Sequence, residues 1–368
     1  MVIKNNPKRI LQIMGSYSAF GGLESMLMNY YKNIDRSKVQ FDFVTRGTPQ
    51  DFHKQILDMG GRVFYLTYGP KNILLYAKAL YKIIKNNGPY TAVHAQISYQ
   101  AGIDLLVARL AGVKVRVCHS HQTTIESKKY MLMLPLIRKM ILANATKLMA
   151  CGKEAGDFLY GKNEFFVLNN AIDVEEFQSV DMDNVKKLYE EFCIPHDSLI
   201  IGHIGRFIPL KNHIFFVELM KGLLLINPNA YLILVGDGEL RDFIKLSFEK
   251  EGILRNVRFV GMREDMPELM NFFDLLLLPS FSEAMPVTVI EAQAAGIPIL
   301  LSENITTEVD LGLKMIKYIS LSSKREWLQS ILNVKYEKYD HDYIRDTFIN
   351  KGYSIKKNAE VLLQEYEI

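Results

Sequence analysis

Two glutamates stand eight residues apart in Ser282-Glu283-Ala284-Met285-Pro286-Val287-Thr288-Val289-Ile290-Glu291, the most specific chemical signal in the sequence. Pro286 suits a first helical turn. Glu283 then lies in the loop before the helix and Glu291 about one and a half turns inside it, so the two cannot form an adjacent acid pair. They suit contacts to different parts of one elongated ligand. The helix start adds N–H donors for a phosphate, although Pro286 itself has none to give. Upstream, Gly205-Arg206-Phe207-Ile208-Pro209-Leu210-Lys211 follows an apolar run. Arg206 offers a planar fork and Lys211 a point charge, a pair suited to a diphosphate. The plainer alternative for each is a solvated basic loop or an ordinary helix-face glutamate.

Two motifs lie nearer the N-terminus. Gly15 and the pair Gly21-Gly22 frame a turn that leads into Leu23-Glu24 and a helix pattern. Glycines there let backbone approach a ligand, or simply make a tight turn. Their spacing is not the G-x-G-x-x-G of dinucleotide sites. In Val117-Cys118-His119-Ser120-His121, strand alternation puts both imidazoles on one side, where either could hydrogen-bond a sugar hydroxyl or move a proton. A metal pair is disfavoured, because no third and fourth ligand lies nearby in sequence.

The elements that must hold these residues repeat twice. Strand-like runs at 9–14, 41–45, 63–66, 92–95, 115–119, 148–151 and 165–168 alternate with helix patterns at 23–34, 73–85 and 99–110. After a polar stretch at 181–198 the series restarts with strands at 199–204, 231–235, 257–260, 275–278 and 297–301. Such alternation predicts an α/β chain with two doubly wound parallel sheets facing across a cleft, ligands lying at the carboxyl ends of the strands. We place a basic N-terminal domain at 1–180 and a second domain at 181–350. The helical 351–368 is expected to cross back to the first.

Composition narrows the function. With 368 residues, 49% hydrophobic and 23% charged, the chain is globular and large enough for two cores. Three scattered cysteines make neither a disulfide framework nor a zinc site. No signal-peptide pattern or membrane-spanning run is legible, so a cytoplasmic location is expected, peripheral to the inner face of the cell membrane. The net charge of +3 conceals an asymmetry: residues 1–150 carry 21 Lys and Arg against 7 Asp and Glu, the remainder 23 against 34. The basic half should meet something anionic. A nucleic-acid partner is disfavoured, since no reading motif accompanies the charge. Lys128-Lys129-Tyr130-Met131-Leu132-Met133-Leu134 and its continuation to Leu142 mix apolar and basic side chains. That stretch reads either as a core helix with a basic edge or as an interfacial patch for anionic membrane.

Taken in order, Gly21-Gly22, Asn169 to Phe177, Gly205-Arg206 with Lys211, Val235-Gly236-Asp237-Gly238, and Glu283 with Glu291 resemble glycosyltransferase family 4. The likeness runs over about residues 10 to 310 and is nearest to bacterial capsular and exopolysaccharide enzymes. It implies a GT-B fold and a retaining, metal-independent hexosyl transfer from a nucleotide-diphosphate sugar, UDP-linked by preference, to a lipid-diphosphate or glycan acceptor, with no cofactor. By the same likeness Arg206 and Lys211 bind the donor diphosphate beside Gly205, and Glu291 holds the ribose. Glu283 with the backbone of Ala284, Met285, Pro286 and Val287 holds the sugar and phosphate. His121, or else His119, meets the donor sugar, while Gly21, Gly22 and Glu24 lie toward phosphate and acceptor. Many relatives carry glycine where this chain has Ala284 and Pro286, which alters the contacts that choose the sugar. The competing readings are a sugar-nucleotide epimerase, an inverting transferase, and a nucleotide-sugar binding protein without catalysis.

Overall fold

The computed structural model describes residues 6–16, 22–46, 51–66, 72–97, 100–124, 128–334 and 339–368. It divides into two compact units, the first holding Leu23–Ala171, the strand before it and Ile355–Ile368, the second holding Ile172–Ser354.

The first unit runs β1 (Lys8–Ser16), α1 (Gly22–Asn33), β2 (Val39–Arg46), α2 (Asp51–Asp58), β3 (Arg62–Leu66), α3 (Ile73–Asn87), β4 (Tyr90–Ala95), α4 (Ala101–Leu110), β5 (Val115–Ser120), α5 (Lys128–Asn144), β6 (Lys147–Ala150), α6 (Lys153–Tyr160) and β7 (Phe166–Val167). Its strands lie in the order β3-β2-β1-β4-β5-β6-β7, every pairing parallel. A sheet with helices on both faces needs strands that are apolar on both sides. β1 shows how that is met: Ile10 packs with Met26, Leu27 and Phe41 on one face, while Leu11 and Ile13 pack with Tyr76, Leu80 and Val107 on the other. Among the described residues, two carboxyls have no exposed surface in this unit, Asp104 of α4, which accepts from the Tyr76 hydroxyl at 2.6 Å, and Asp42 of β2. Asp42 is held by Arg9, by Arg62 and by the Tyr90 hydroxyl at 3.0 Å, which offset the cost of burying its charge.

The second unit runs α7 (Val174–Gln178), α8 (Met182–Glu191), β8 (Leu199–Ile204), α9 (Phe215–Leu224), β9 (Ala230–Val235), α10 (Arg241–Lys250), β10 (Val257–Gly261), α11 (Met266–Phe272), β11 (Leu275–Leu278), α12 (Val287–Ala295), β12 (Ile299–Ser302), β13 (Ile316–Ile319), α13 (Lys324–Leu332) and α14 (His341–Asn350). Its parallel order is β10-β9-β8-β11-β12-β13. Its core gathers Ile201, Leu232, Leu234, Leu275 and Leu277 beneath Phe216, Phe248 and Trp327.

The chain then returns: α15 (Ile355–Glu365) packs Ile355, Ala359, Leu362 and the following Tyr366 into the core of the first unit. Three expectations need correction. The polar stretch 181–198 between the two strand series carries a helix, because Asp181 caps α8 through the Asp183 N–H and Val185 and Leu188 are buried. The helical 351–368 starts only at Ile355, after a break where Gly352 takes a positive φ of 75°. Pro286 stands at the N-cap of α12 rather than in its first turn.

Candidate active site

In the second unit, β8 delivers Gly205 and Arg206 to the carboxyl edge of the sheet, where the chain must turn sharply without losing its backbone partners. Gly205 N–H donates to the Val235 carbonyl and Phe207 N–H to the Asp237 carbonyl, both at 3.0 Å. Those partners explain Val235-Gly236-Asp237-Gly238. Gly236 and Gly238 have φ of +130° and +153°, and a Cβ on Gly236 would fall 2.2 Å from the Gly205 carbonyl oxygen. This glycine motif is therefore the seat of the Arg206 turn. Phe207 is fully buried beneath it, while Arg206 is exposed.

A short 3-10 turn, Pro209–Lys211, follows. Asn212 ends it in the left-handed region and donates Nδ2–H to the Pro279 carbonyl at 3.0 Å, and Phe281 N–H donates to the Leu210 carbonyl at 2.9 Å. The two loops are tied together, and Lys211 Nζ meets Glu283 Oε1 as an ion pair with both side chains mostly covered. Sequence reasoning set Lys211 against phosphate and Glu283 against sugar, whereas the folded chain joins them. Below them lie His203 and His213. His203 gives Nδ1–H to the Leu277 carbonyl at 2.9 Å. Burial, with help from the Lys211 charge, pushes these imidazoles down to about 3 and about 2, so both are neutral supports.

Glu283 is pinned by a bridge to Ile305, and Met285 is buried, with Tyr353 donating its hydroxyl to Met285 Sδ at 3.7 Å. Val287 opens α12, whose first N–H groups have no acceptor inside the helix. One turn on, Glu291 is only 9% exposed and has no hydrogen-bond or ion-pair partner among the described residues. Burial pushes its carboxyl up to about 7. Thr288 Oγ1, which sequence reasoning missed, is also buried without a partner among the described residues. A hydroxyl in the first turn after a proline N-cap was its only sequence signal.

In the first unit, β5 carries His119 and His121 on one side of the strand, their rings 4.0 Å apart. His119 has no exposed surface and stacks on His94 at 5.2 Å, so its place is behind His121 rather than at a surface. His121 is half-buried, its Nε2 lies 2.7 Å from Gln96 Oε1, and burial pushes it down to about 3. Glu24 is buried in the first turn of α1, and Gly22 is that helix's first residue. Gly21 lies outside the described residues, and Gly15 is within β1. No group of three or more His, Cys, Asp or Glu that could hold a metal occurs among the described residues.

On the outer side, α4 packs against α3 and α5, which present Leu74 at 82%, Leu132 at 85% and Leu136 at 54% exposure beside exposed Lys78, Lys82 and Lys139. No described helix is long and apolar enough to cross a membrane.

Comparison with known proteins bears on both units. The profile described as Glycosyltransferase Family 4 matches residues 20–176, and the one described as Glycosyl transferases group 1 matches 168–310. EpsF of Bacillus subtilis (strain 168), named a glycosyltransferase, is 39% identical over all of this chain and 98% of its own length. The UDP-Gal:alpha-D-GlcNAc-diphosphoundecaprenol alpha-1,3-galactosyltransferase of Escherichia coli is 28% identical over 67% of each chain. Among solved structures, HepE of Anabaena in complex with UDP and glucose is similar in fold, with a TM-score of 0.72 at 18% identity over 96% of this chain and 94% of its own.

Proposed function

Because the chain belongs to glycosyltransferase family 4, with its GT-B fold, what remains for its own residues to decide is the transfer itself. We propose that it moves a hexose from a UDP-sugar to a hydroxyl of a lipid-linked or glycan acceptor in cell-surface polysaccharide assembly, with retention at the anomeric carbon. Three things support this reading: the residues gathered at the β8 and β11 edges, the UDP found with HepE, and the lipid-diphosphate acceptor and α-linkage in the Escherichia coli relative's name.

Glu291 carries the proposal. A carboxyl this deeply covered, without a partner and one turn from a helix start, is arranged to accept hydroxyl groups such as the two on a ribose. In the reaction the anomeric C–O bond to the diphosphate breaks and its electron pair goes to the leaving oxygen. The acceptor oxygen bonds the same face of the anomeric carbon, and its proton passes to that leaving phosphate oxygen. Negative charge grows on the diphosphate, so Arg206, Lys211 and the first N–H groups of α12 favour the transition state over the ground state. In this reading no divalent metal is needed, and turnover persists in EDTA. Glu283 orients Lys211 and accepts from the hexose, and His121 meets the transferred sugar.

The exposed leucines and lysines of α3 and α5 fit a peripheral seat on anionic membrane, which would bring a lipid-linked acceptor within reach. The test of the donor site is Arg206→Ala. Because Arg206 is exposed, the variant should keep the wild-type melting temperature while kcat falls by about 100- to 1,000-fold. Wild-type turnover would overturn the assignment, and donor binding without transfer to any hydroxyl acceptor would favour a binding protein.

A further inference from the structure

Alternation in three neighbouring strands builds a polar seam under one face of the first sheet. On that face β1 shows Ile10, Gln12 and Met14, β4 shows Ala92 and His94 with Gln96 just beyond, and β5 shows Val115, Val117 and His119 with His121 just beyond. The apolar members pack with α15; the polar members lie toward the carboxyl ends of the strands. Gln12, His94 and Gln96 are all buried. So is the phenol of Tyr366, which follows α15 and reaches the seam across 354 residues of sequence.

The hydrogen bonds along this seam have one direction. An amide oxygen only accepts, so the contact of His121 Nε2 with Gln96 Oε1 at 2.7 Å makes Nε2–H the donor. Gln96 Nε2 donates to Gln12 Oε1 at 2.8 Å, and Gln12 Nε2 donates to Tyr366 Oη at 3.1 Å. That oxygen is now an acceptor, and it lies 2.6 Å from His94 Nδ1, where a neutral imidazole lone pair gives the phenol proton a partner. Reversing one member alone would set donor against donor or acceptor against acceptor in a buried site, at about 1–3 kcal/mol for each unmet group, so the chain holds its direction as a unit.

We propose that Tyr366 is a positioning residue which, through Gln12 and Gln96, fixes His121 as the Nε2–H tautomer and leaves its Nδ1 lone pair to accept a hydrogen bond from a ligand hydroxyl. His121 Nδ1 has no partner among the described residues, so the relay ends on a prepared acceptor. His119, stacked between His94 and His121, holds the rings in place. That the ligand hydroxyl belongs to the transferred hexose rests on the transferase reading given above; the tautomer itself does not.

The test is 15N spectroscopy of histidine-labelled full-length protein without substrate, His121 being assigned by its loss in His121→Gln. The wild type should show a protonated Nε2 and an unprotonated Nδ1. Tyr366→Phe keeps the ring in the core and removes the hydroxyl, and should return His121 to a mixture of tautomers. The same variant should lower kcat/KM for the sugar donor about tenfold and leave the Kd for UDP alone unchanged. Gln12→Met interrupts the relay at its centre and should do the same, which keeps the test open if Tyr366→Phe fails to fold. A wild type with Nδ1 protonated, or a Tyr366→Phe spectrum identical to wild type, overturns the relay. A tautomer shift with unaltered donor kinetics upholds the relay and removes only the hexose as its ligand.

Discussion

Replacing Glu291 by glutamine should make the free protein more stable and the enzyme worse. The carboxyl is 9% exposed and burial raises it from an ordinary 4.5 to about 7. A group with a raised folded pKa binds its proton more tightly folded than unfolded. Its penalty is therefore absent below pH 4.5, grows as pH rises between 4.5 and 7, and is complete above about 7. The shift corresponds to destabilisation on the order of 3 kcal/mol at pH 8. Glutamine keeps the shape and has no charge to desolvate. The stability difference between Glu291→Gln and wild type should then change by roughly 3 kcal/mol, in favour of the variant, between pH 4 and pH 8. Guanidinium unfolding followed by tryptophan fluorescence reads this well, since the chain's single tryptophan, Trp327, is fully buried in the core of the same unit. Other titrating groups cancel in the difference. UDP affinity should fall ten- to hundredfold, the value of hydrogen bonds to a charged acceptor of about 1.5–3 kcal/mol. A stability difference that is flat from pH 4 to pH 8 would refute the reasoning, as would a variant that loses ground at high pH.

Gly236→Ala puts a methyl 2.2 Å from the Gly205 carbonyl oxygen at a φ of +130°, so the Arg206 turn must move. Calorimetry with UDP should show Kd raised at least about tenfold, and an unchanged Kd would detach this turn from donor binding. Flotation with anionic liposomes at low salt should retain the wild type and release Leu132→Glu combined with Leu136→Glu, each leucine being worth about 1.5–3 kcal/mol when buried. No flotation of the wild type would remove the membrane seat.

Much of the framework was legible because apolar runs in a parallel sheet are blunt signals. Leu199–Ile204 and Leu275–Leu278 fall where the pattern places them, bounded by Ser198 and Gly205 and by Asp274 and Pro279. β13 escaped notice because Ile316–Ile319 is an edge strand with Lys317 exposed, and its run is broken by that charge. α8 is hidden in the polar stretch because only Val185 and Leu188 of its ten residues are buried. At the site, Arg206, Lys211, Glu283 and Glu291 were legible through charge and spacing. The pairing of Lys211 with Glu283 was not, since it depends on Asn212 joining two loops 67 residues apart. The relay behind His121 was the least visible part. Gln12 and Gln96 carry no charge to attract notice, and only the strand order β1-β4-β5 makes them neighbours.

The return of α15 also bears on how the protein is made. On a ribosome the first unit, although synthesised first, stays unfinished until the chain has passed through the whole second unit and reached Tyr366. The stretch Ile172–Ser354, nearly all of the second unit, is continuous and can fold before it. Its two ends meet in the folded state, where Ile172 and Ser354 form a parallel bridge and Ile172 N–H donates to the Tyr353 carbonyl at 3.3 Å. Folding of this inserted unit shrinks a loop of roughly 180 residues to a short splice, relieving the first unit of about 3 kcal/mol of closure entropy. Because Ile172–Ser354 is synthesised in full before α15, this module can close before the first unit does, and its closure would bring Tyr366 toward β1 and β4.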